Sequence, residues 1–139
     1  MARRRAQRTR GAGAVADGSG RAGTELVSVA AIAPDRGDLV WLNFNPQADH
    51  EQAGHRPAVI LSPRAYNARS GLALAVPVTS RSKGRPFEVL LPDGLAVRGV
   101  VLVDQIRSVD WEARHVEIAD RLPRETEALI RGIARPLLE

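Results

Sequence analysis

The chain of 139 residues has no cysteine and no apolar run long enough to cross a membrane. Without cysteine there is no disulfide, no thiolate zinc site and no cysteine nucleophile, and this absence fits a reducing compartment. The glycine-rich loop of nucleotide-binding proteins and the signatures of serine nucleophiles are also missing. His50, His55 and His115 do not have metal-ligand spacing. We therefore expect no cofactor, no bound metal and no membrane association.

The positive net charge of the chain, +4, comes from its N-terminal segment. Residues 1–33 hold six arginines and two acids, so residues 34–139 carry 14 basic and 14 acidic side chains. The overall charge is therefore no sign that the folded part binds nucleic acid. Within that part, however, the span 50–90 carries six basic residues and two acids. A local basic face of this kind can bind a polyanion even on a neutral domain.

The N-terminal segment 1–33 is rich in Gly, Ala and Arg and nearly lacks large apolar side chains. It cannot bury enough surface to offset its ordering entropy, so we predict a disordered tail followed by one domain at 34–139. A secretory signal is an alternative, because arginines precede the run "LVSVAAIA", although that run is short and contains Ser28. Another alternative is that the natural start lies further downstream and the tail is mis-assigned.

The domain sequence predicts a mainly β protein with one C-terminal helix. Segments rich in β-branched and apolar residues predict five or six short strands at 38–44, 57–62, 72–80, 87–91, 100–109 and 115–119. Pro77 lies inside the third strand and indicates an edge or a bulge, and 63–71 is predicted to be a loop. The apolar spacing of Leu129, Ile130, Ile133 and Leu137 predicts a helix over 123–139. Short strands closed by one helix are typical of a small, strongly bent sheet or barrel.

The first candidate site is the polar loop that enters the second strand, "EQAGHRP". Glu51 is a candidate general base, because a carboxylate can take a proton from a ribose 2′-hydroxyl. Arg56 could hold a phosphate through two parallel donors and stabilise developing negative charge. His55 could shuttle a proton or simply bond the loop backbone. A solvated loop with a surface ion pair is the alternative for Glu51 and Arg56.

The second candidate site is the end of the third strand and the turn after it, "VTSRSKGRP". Thr79 could donate a hydrogen bond to a phosphate oxygen, although Thr79 and Ser80 could equally just begin the turn. The turn adds three cations, Arg81, Lys83 and Arg85. The glycine after Lys83 allows a nucleic-acid backbone to come close. The two candidate sites could meet at one end of a small sheet.

Four motifs in order resemble the MazF/PemK/Kid toxins of bacterial toxin–antitoxin modules, and most closely the MazF type: "GDLVWLNFNP", "EQAGHRPAVILSP", "VPVTSRSKGRPFEV" and "VDQIRSVDW". The resemblance covers about residues 34–138. It implies an SH3-like barrel with a C-terminal helix, a homodimer and a cytoplasmic location. It also implies an endoribonuclease, or mRNA interferase, that needs no metal. Such an enzyme cuts single-stranded RNA at short sequence motifs, leaves 2′,3′-cyclic phosphate and 5′-hydroxyl ends, and is blocked by a MazE-type antitoxin.

The resemblance also implies roles for particular residues. Glu51, Arg56 and Thr79 match the family positions tied to cleavage. The predicted RNA-binding residues are Phe44, His55, Ser80, Lys83 and Arg85. Phe44 matches an aromatic residue near the groove that could stack a base. The tail before Pro34 and the loop 92–98 depart from the family pattern, and the toxin alone is not expected to bind DNA.

Two other functions are compatible with such a fold. A CcdB-like gyrase-binding toxin is the first alternative, since fold alone does not separate it from a nuclease. The polar loop and Thr79 favour the nuclease, and the ending "RPLLE" has no aromatic tip of the kind a gyrase poison would use. A non-catalytic barrel that only binds RNA is the second alternative.

Overall fold

The computed structural model describes residues 33–43 and 55–139. The architecture below belongs to the compact unit Pro34–Glu139. The predicted tail lies outside the described residues apart from Ala33, so its disorder stays a prediction. Glu51 and Phe44 also lie outside the described residues.

The described part of the domain contains seven strands and two helices. The strands are β1 Asp38–Asn43, β2 His55–Ile60, β3 Leu72–Thr79, β4 Glu88–Leu90, β5 Val100–Leu102, β6 Arg107–Asp110 and β7 Glu117–Arg121. The helices are α1 Arg64–Ser70 and α2 Arg124–Leu137. The predicted mainly β architecture with a C-terminal helix is confirmed. No helix among the described residues is long and apolar enough to span a bilayer.

All strand pairs in the sheet are antiparallel, in the order β4-β5-β3-β2-β1-β7, and β6 also pairs with β3. Strand β3 is therefore the centre of the architecture, since it contacts β2 on one edge and both β5 and β6 on the other. No ladder joins β4 to β7 among the described residues, so the sheet is open there. The core beneath it includes Leu39, Val59, Val76 and Val101, and Ile130 from α2 is fully buried among them.

The predicted strand 100–109 is wrong, because the structure divides it into β5 and β6. Val101 pairs with Val78, whereas Arg107 pairs with Ala75, so three extra residues lie between these pairs on the β5–β6 side. Pro77 lies opposite this insertion. Leu61 N–H donates to Leu74 O, and antiparallel alternation then points the nitrogen of Pro77 away from β2 and toward the interrupted edge. The ladder between β3 and the β5–β6 segment breaks at Pro77, because proline has no N–H to donate there. The predicted bulge therefore lies in the β5–β6 segment. Pro77 itself is not at a sheet edge, because β3 has partners on both sides.

The loop predicted at 63–71 is also wrong, since it contains α1. Gly71 ends this helix in the left-handed region, at φ 77°, and its N–H donates to Asn67 O at 3.0 Å. The buried Asn67 side chain anchors the helix. Its Nδ2 donates to Pro34 O at 2.8 Å and to Ser62 O at 2.9 Å, and Trp111 Nε1 donates to Asn67 O at 2.8 Å. These long-range bonds stabilise a helix too short to form on propensity alone.

The remaining differences concern strand number and the C-terminal elements. Seven strands replace the predicted five or six, and the last strand is Glu117–Arg121 instead of 115–119. Helix α2 begins after Pro123 and buries only part of its predicted apolar stripe. Ile130 is fully buried, whereas Leu129 is 55% exposed and Leu137 is 42% exposed. The apolar surface of α2 is therefore wider than the core requires.

Candidate active site

The strand register brings the two predicted catalytic residues of β2 and β3 to one end of the sheet. Ala58 is the partner of Pro77 in the β2–β3 ladder. Continuing this antiparallel register by two residues places Arg56 opposite Thr79. Arg56 is exposed and Thr79 is half-buried. A phosphate at this end of the sheet would therefore meet a guanidinium from one strand and a hydroxyl from the next.

His55 lies beside Arg56 but contacts an aromatic residue. Its ring centroid is 5.5 Å from that of Trp41, with the two planes tilted by 46°. Trp41 and His55 are diagonal neighbours on the paired strands β1 and β2, since Asn43 is the partner of His55 and Trp41 the partner of Pro57. The half-buried imidazole is thus held against a ring at the entrance to β2.

The carbonyl of Thr79 is packed against Gly99 of the facing segment. Gly99 has φ 139°, and a Cβ built on it would overlap the carbonyl oxygen of Thr79. Only glycine permits this close approach, which lets Val100 pair with Thr79. On the other side, Arg81 N–H approaches Thr79 Oγ1 at 3.4 Å. The backbone at the end of β3 is therefore packed closely against the segment that leads into β5.

The turn after β3 is organised by a carboxylate. Ser82 Oγ donates to Glu88 Oε1 at 2.7 Å, and Lys83 N–H donates to Glu88 Oε2 at 3.0 Å and to Oε1 at 3.2 Å. Gly84 N–H donates in turn to Ser82 Oγ at 3.2 Å. The hydroxyl donor of Ser82, followed by the N–H of Lys83, lowers the pKa of Glu88. Glu88 therefore stays ionised at neutral pH within a turn rich in cations.

A pocket of about 320 Å³ lies between this turn and the β5 side of the sheet. It is lined by Thr79, Arg81, Lys83, Arg85, Glu88, Leu102 and Gln105. Three cations against one acid make it an electropositive pocket, and its guanidinium groups suit the geometry of phosphate oxygens. No cluster of three potential metal-binding side chains occurs within residues 33–43 and 55–139.

The structure thus brings together part of the predicted site. Thr79, Lys83 and Arg85 line the pocket, and Arg56 and His55 begin the neighbouring strand. Ser80 is exposed next to Thr79 but is not among the lining residues. Glu51 and Phe44 fall outside the described residues, so their proposed places are untested by the geometry.

Three pocket residues, Glu88, Leu102 and Gln105, were not predicted as site residues from the sequence. Glu88 was predicted only as part of a strand, because its bonds to the turn depend on how residues 82–87 fold back. Gln105 lies in the interruption between β5 and β6, which the sequence predicted as continuous strand. The irregularity predicted at Pro77 was the one signal that could have pointed to this segment.

A second arginine-lined pocket, of about 510 Å³, lies at the opposite end of β2. Its cations are Arg36, Arg121, Arg124 and Arg131. Two of these already bind carboxylates: Arg121 contacts Asp38 at 2.8 Å, and Arg131 contacts Glu127 at 2.9 Å. Burial raises the pKa of Asp38, while a hydrogen bond from Asp35 N–H and the charge of Arg121 oppose this. We ascribe a structural role to these ion pairs.

Comparison with known proteins identifies the class. The family model of PemK-like, MazF-like toxins of type II toxin–antitoxin systems matches residues 35–135. The endoribonuclease toxin MazF of Escherichia coli K12 is 54% identical over 86 residues, covering 62% of this chain and 77% of the relative. The endoribonuclease PemK of Escherichia coli is 41% identical over 96 residues, covering 64% of this chain and 70% of the relative.

Solved structures agree with this assignment. A crystal structure of MazF from Deinococcus radiodurans has a TM-score of 0.69 and 57% sequence identity, and covers 76% of this chain and 96% of that one. A MazE–MazF complex from the same organism gives 0.68 and 51%, with coverage of 76% and 95%. The chain therefore belongs to the PemK-like, MazF-like toxin family of type II toxin–antitoxin systems. The predicted toxin class and fold are confirmed, and the endoribonuclease relatives favour the nuclease over the gyrase-binding alternative.

Proposed function

We propose that this protein cuts single-stranded mRNA at a short sequence motif and so stops translation and growth. The β2–β3 ladder ends at the pair Ala58–Pro77, and its continuation by two residues brings Arg56 opposite Thr79, which lines the pocket with three cations. This arrangement is the observation that carries the proposal. The curated relatives named above are endoribonucleases, which supports it. The domain at 34–139 carries the activity, and residues 1–33 are not part of the site in this proposal.

The proposed reaction is an in-line attack by a ribose 2′-hydroxyl on the adjacent phosphorus. Glu51 takes the 2′-hydroxyl proton, the new O–P bond closes the 2′,3′-cyclic phosphate, and the bond to the 5′-oxygen breaks with the electron pair leaving on that oxygen. A proton donor then completes the 5′-hydroxyl. Arg56 stabilises the charge on the non-bridging oxygens, and Thr79 orients the phosphate. Arg56 and His55 are the two candidates for this donor. Arginine is a poor acid at its ordinary pKa, so His55 is kept as the alternative to Arg56.

The other predicted residues bind the RNA away from the cut. Lys83 and Arg85, from the turn, contact phosphates, and Ser80 adds a hydroxyl donor. Phe44 stacks a base. These contacts would let the pocket hold RNA beside the scissile phosphate.

The proposed partners follow from the same surface and from the family. The toxin of the Deinococcus radiodurans complex is bound to MazE. An electropositive pocket that binds single-stranded RNA can also bind an acidic extended peptide, so we expect a MazE-type antitoxin to inhibit this protein. We also propose that it acts as a homodimer in the cytoplasm and does not bind DNA by itself.

The experiment that tests this function is cleavage of a defined single-stranded RNA by the full-length protein in the presence of EDTA. We expect an undiminished rate, because the mechanism uses side chains alone. Mass spectrometry of the products should show 2′,3′-cyclic phosphate and 5′-hydroxyl ends. Loss of activity in EDTA that Mg²⁺ restores, or products with 5′-phosphate ends, would contradict the mechanism.

Replacing Arg56 by alanine is expected to slow cleavage by about a hundred- to a thousandfold. Removing one donor that stabilises transition-state charge has an effect of roughly 3–4 kcal/mol. The exposed position of Arg56 means that the fold should be kept. Thr79→Ala should have a smaller effect, because Thr79 orients the phosphate and transfers no proton.

Single-turnover rates for Arg56→Ala, Thr79→Ala and wild type give this comparison. Arg69→Ala is the matched control, since Arg69 is an exposed arginine in α1 and has no proposed role. Circular dichroism spectra should be the same for all variants. An Arg56→Ala rate as fast as that of Arg69→Ala would exclude Arg56 from the site.

A further inference from the structure

Glu88 is the one acid among the residues that line the electropositive pocket. In a pocket for a polyanion, an ionised carboxylate repels the ligand, so its presence needs a physical reason. Neither the resemblance to the toxin family nor the strand pattern gives Glu88 a role. Its contacts provide one, because each of its carboxylate oxygens accepts a hydrogen bond from the turn that carries the cations.

The hydrogen bonds of Glu88 fix the part of the turn from which Lys83 projects. Ser82 is held through its hydroxyl and Lys83 through its backbone N–H. Gly84, at φ 70°, is linked to the same group through Ser82 Oγ. Bonds to an ionised acceptor are stronger than bonds between neutral groups. The exposed turn has few apolar contacts to hold it, since residues 81–87 are all exposed.

We propose that Glu88 is a positioning residue that holds the 81–85 turn in the conformation that binds RNA. The proposal rests on the proposed role of this turn in binding RNA phosphates. Glu88 does not touch the reacting atoms in this account. It acts through Ser82 and the Lys83 backbone, so that the cations of the turn are already in place when RNA arrives and less ordering entropy is lost on binding.

Removal of Glu88 changes RNA affinity in opposite directions depending on whether this residue acts through its charge or through its hydrogen bonds. If Glu88 acted only through its charge, its removal would make the pocket more positive and RNA would bind more tightly. If Glu88 orders the turn, its removal weakens binding despite the gain in positive charge. The direction of the change in RNA affinity therefore separates the two.

The test compares the full-length variants Glu88→Ala, Glu88→Gln and Ser82→Ala with wild type. Binding is measured by fluorescence anisotropy on an RNA that the protein cuts, made resistant by one 2′-deoxynucleotide at the cleavage position. We expect the dissociation constant of Glu88→Ala to rise about tenfold, the scale on which a lost charge-assisted bond acts. The dissociation constant of Ser82→Ala should rise less. Glu88→Gln should recover part of the affinity, since its amide oxygen still accepts one bond.

Cleavage kinetics distinguish positioning from a direct catalytic role. In single-turnover titrations with the unmodified, cleavable RNA, Glu88→Ala should raise the half-saturating protein concentration about tenfold. Its maximal rate should stay within about twofold of the wild-type rate. The matched control is Glu117→Ala, an exposed acid on β7 at the other end of the strand order. This control should bind RNA as tightly as wild type or slightly more tightly.

Several results would overturn the proposal while leaving the nuclease function intact. One is tighter RNA binding by Glu88→Ala, and another is an equal loss of RNA affinity in Glu88→Gln and Glu88→Ala. The third is a lower maximal rate in Glu88→Ala with unchanged RNA affinity. Each of these counts only if the wild-type protein is active. If Glu88→Ala fails to fold, Ser82→Ala decides, and unchanged RNA affinity in that variant overturns the proposal. A wild-type protein that neither binds nor cuts RNA would overturn the proposed function and this proposal with it.

Discussion

An RNA with a single 2′-deoxynucleotide on the 5′ side of the scissile phosphate is expected to resist cleavage completely at that position. The proposed nucleophile is the 2′-hydroxyl of that nucleotide, and its removal leaves no group to attack the phosphorus. No other substitution in the substrate should have so large an effect. Discrimination between RNA and DNA at one site depends on this hydroxyl in general.

The control for this prediction is the same RNA with the deoxynucleotide moved to the 3′ side of the scissile phosphate. That RNA keeps the attacking hydroxyl and should be cut at nearly the rate of the unmodified strand. Denaturing gel electrophoresis resolves both outcomes. Continued cutting of the first substrate would mean that water, not ribose, attacks the phosphate.

Replacing Glu51 by alanine is expected to reduce the single-turnover rate by about a hundred- to ten-thousandfold, the range that general base catalysis contributes. Glu51→Gln should be almost as slow, because it keeps the size of the side chain and loses the ability to accept the proton. RNA affinity should change little in either variant, since the loss falls on the chemical step.

Gln52 provides the matched control for Glu51. It is the next residue in the chain and has no proposed role, so Gln52→Ala should cut at close to the wild-type rate. If Glu51→Gln retains a near wild-type rate, the base is another group and the assignment carried over from the family is wrong for this chain. A binding defect with a normal maximal rate would instead move Glu51 to the RNA-binding residues.

The sequence was sufficient to predict the central strands because their composition decides their structure. The apolar, β-branched runs in β1, β2 and β3 bury completely at positions such as Leu39, Val59 and Val76. Helix α1 was missed because its stability is not local. Its anchor, Asn67, is bonded to Pro34 and Trp111, which lie 33 and 44 residues away in the chain.

The division between β5 and β6 shows a different limit. Its cause, Pro77, is visible in the sequence, but the effect falls on the facing strand, whose own residues look like continuous strand. Prediction therefore required knowing which segments pair. The role of Glu88 was hidden for the same reason, since its partner Ser82 is six residues away across a turn whose path the composition does not specify.

For the candidate site, the residue types indicated the chemistry and the register brought some of them together. Arg56 and Thr79 were predicted from separate motifs, and the β2–β3 register, continued two residues beyond the pair Ala58–Pro77, brings them opposite one another. The role of Glu51 depends on the resemblance to the toxin family and on the chemistry of a carboxylate, and it stays a prediction. His55 packs against Trp41, a contact that the sequence pattern did not indicate.

Single-turnover cleavage of one defined RNA by wild type, Glu51→Ala and Arg56→Ala tests whether Glu51 and Arg56 form the active site of a nuclease, with circular dichroism to show that all three proteins are folded. Both variants should be slower than wild type by at least about a hundredfold while their spectra are unchanged. Rates near that of wild type for both variants would contradict the assignment of this site and would return the gyrase-binding alternative to consideration.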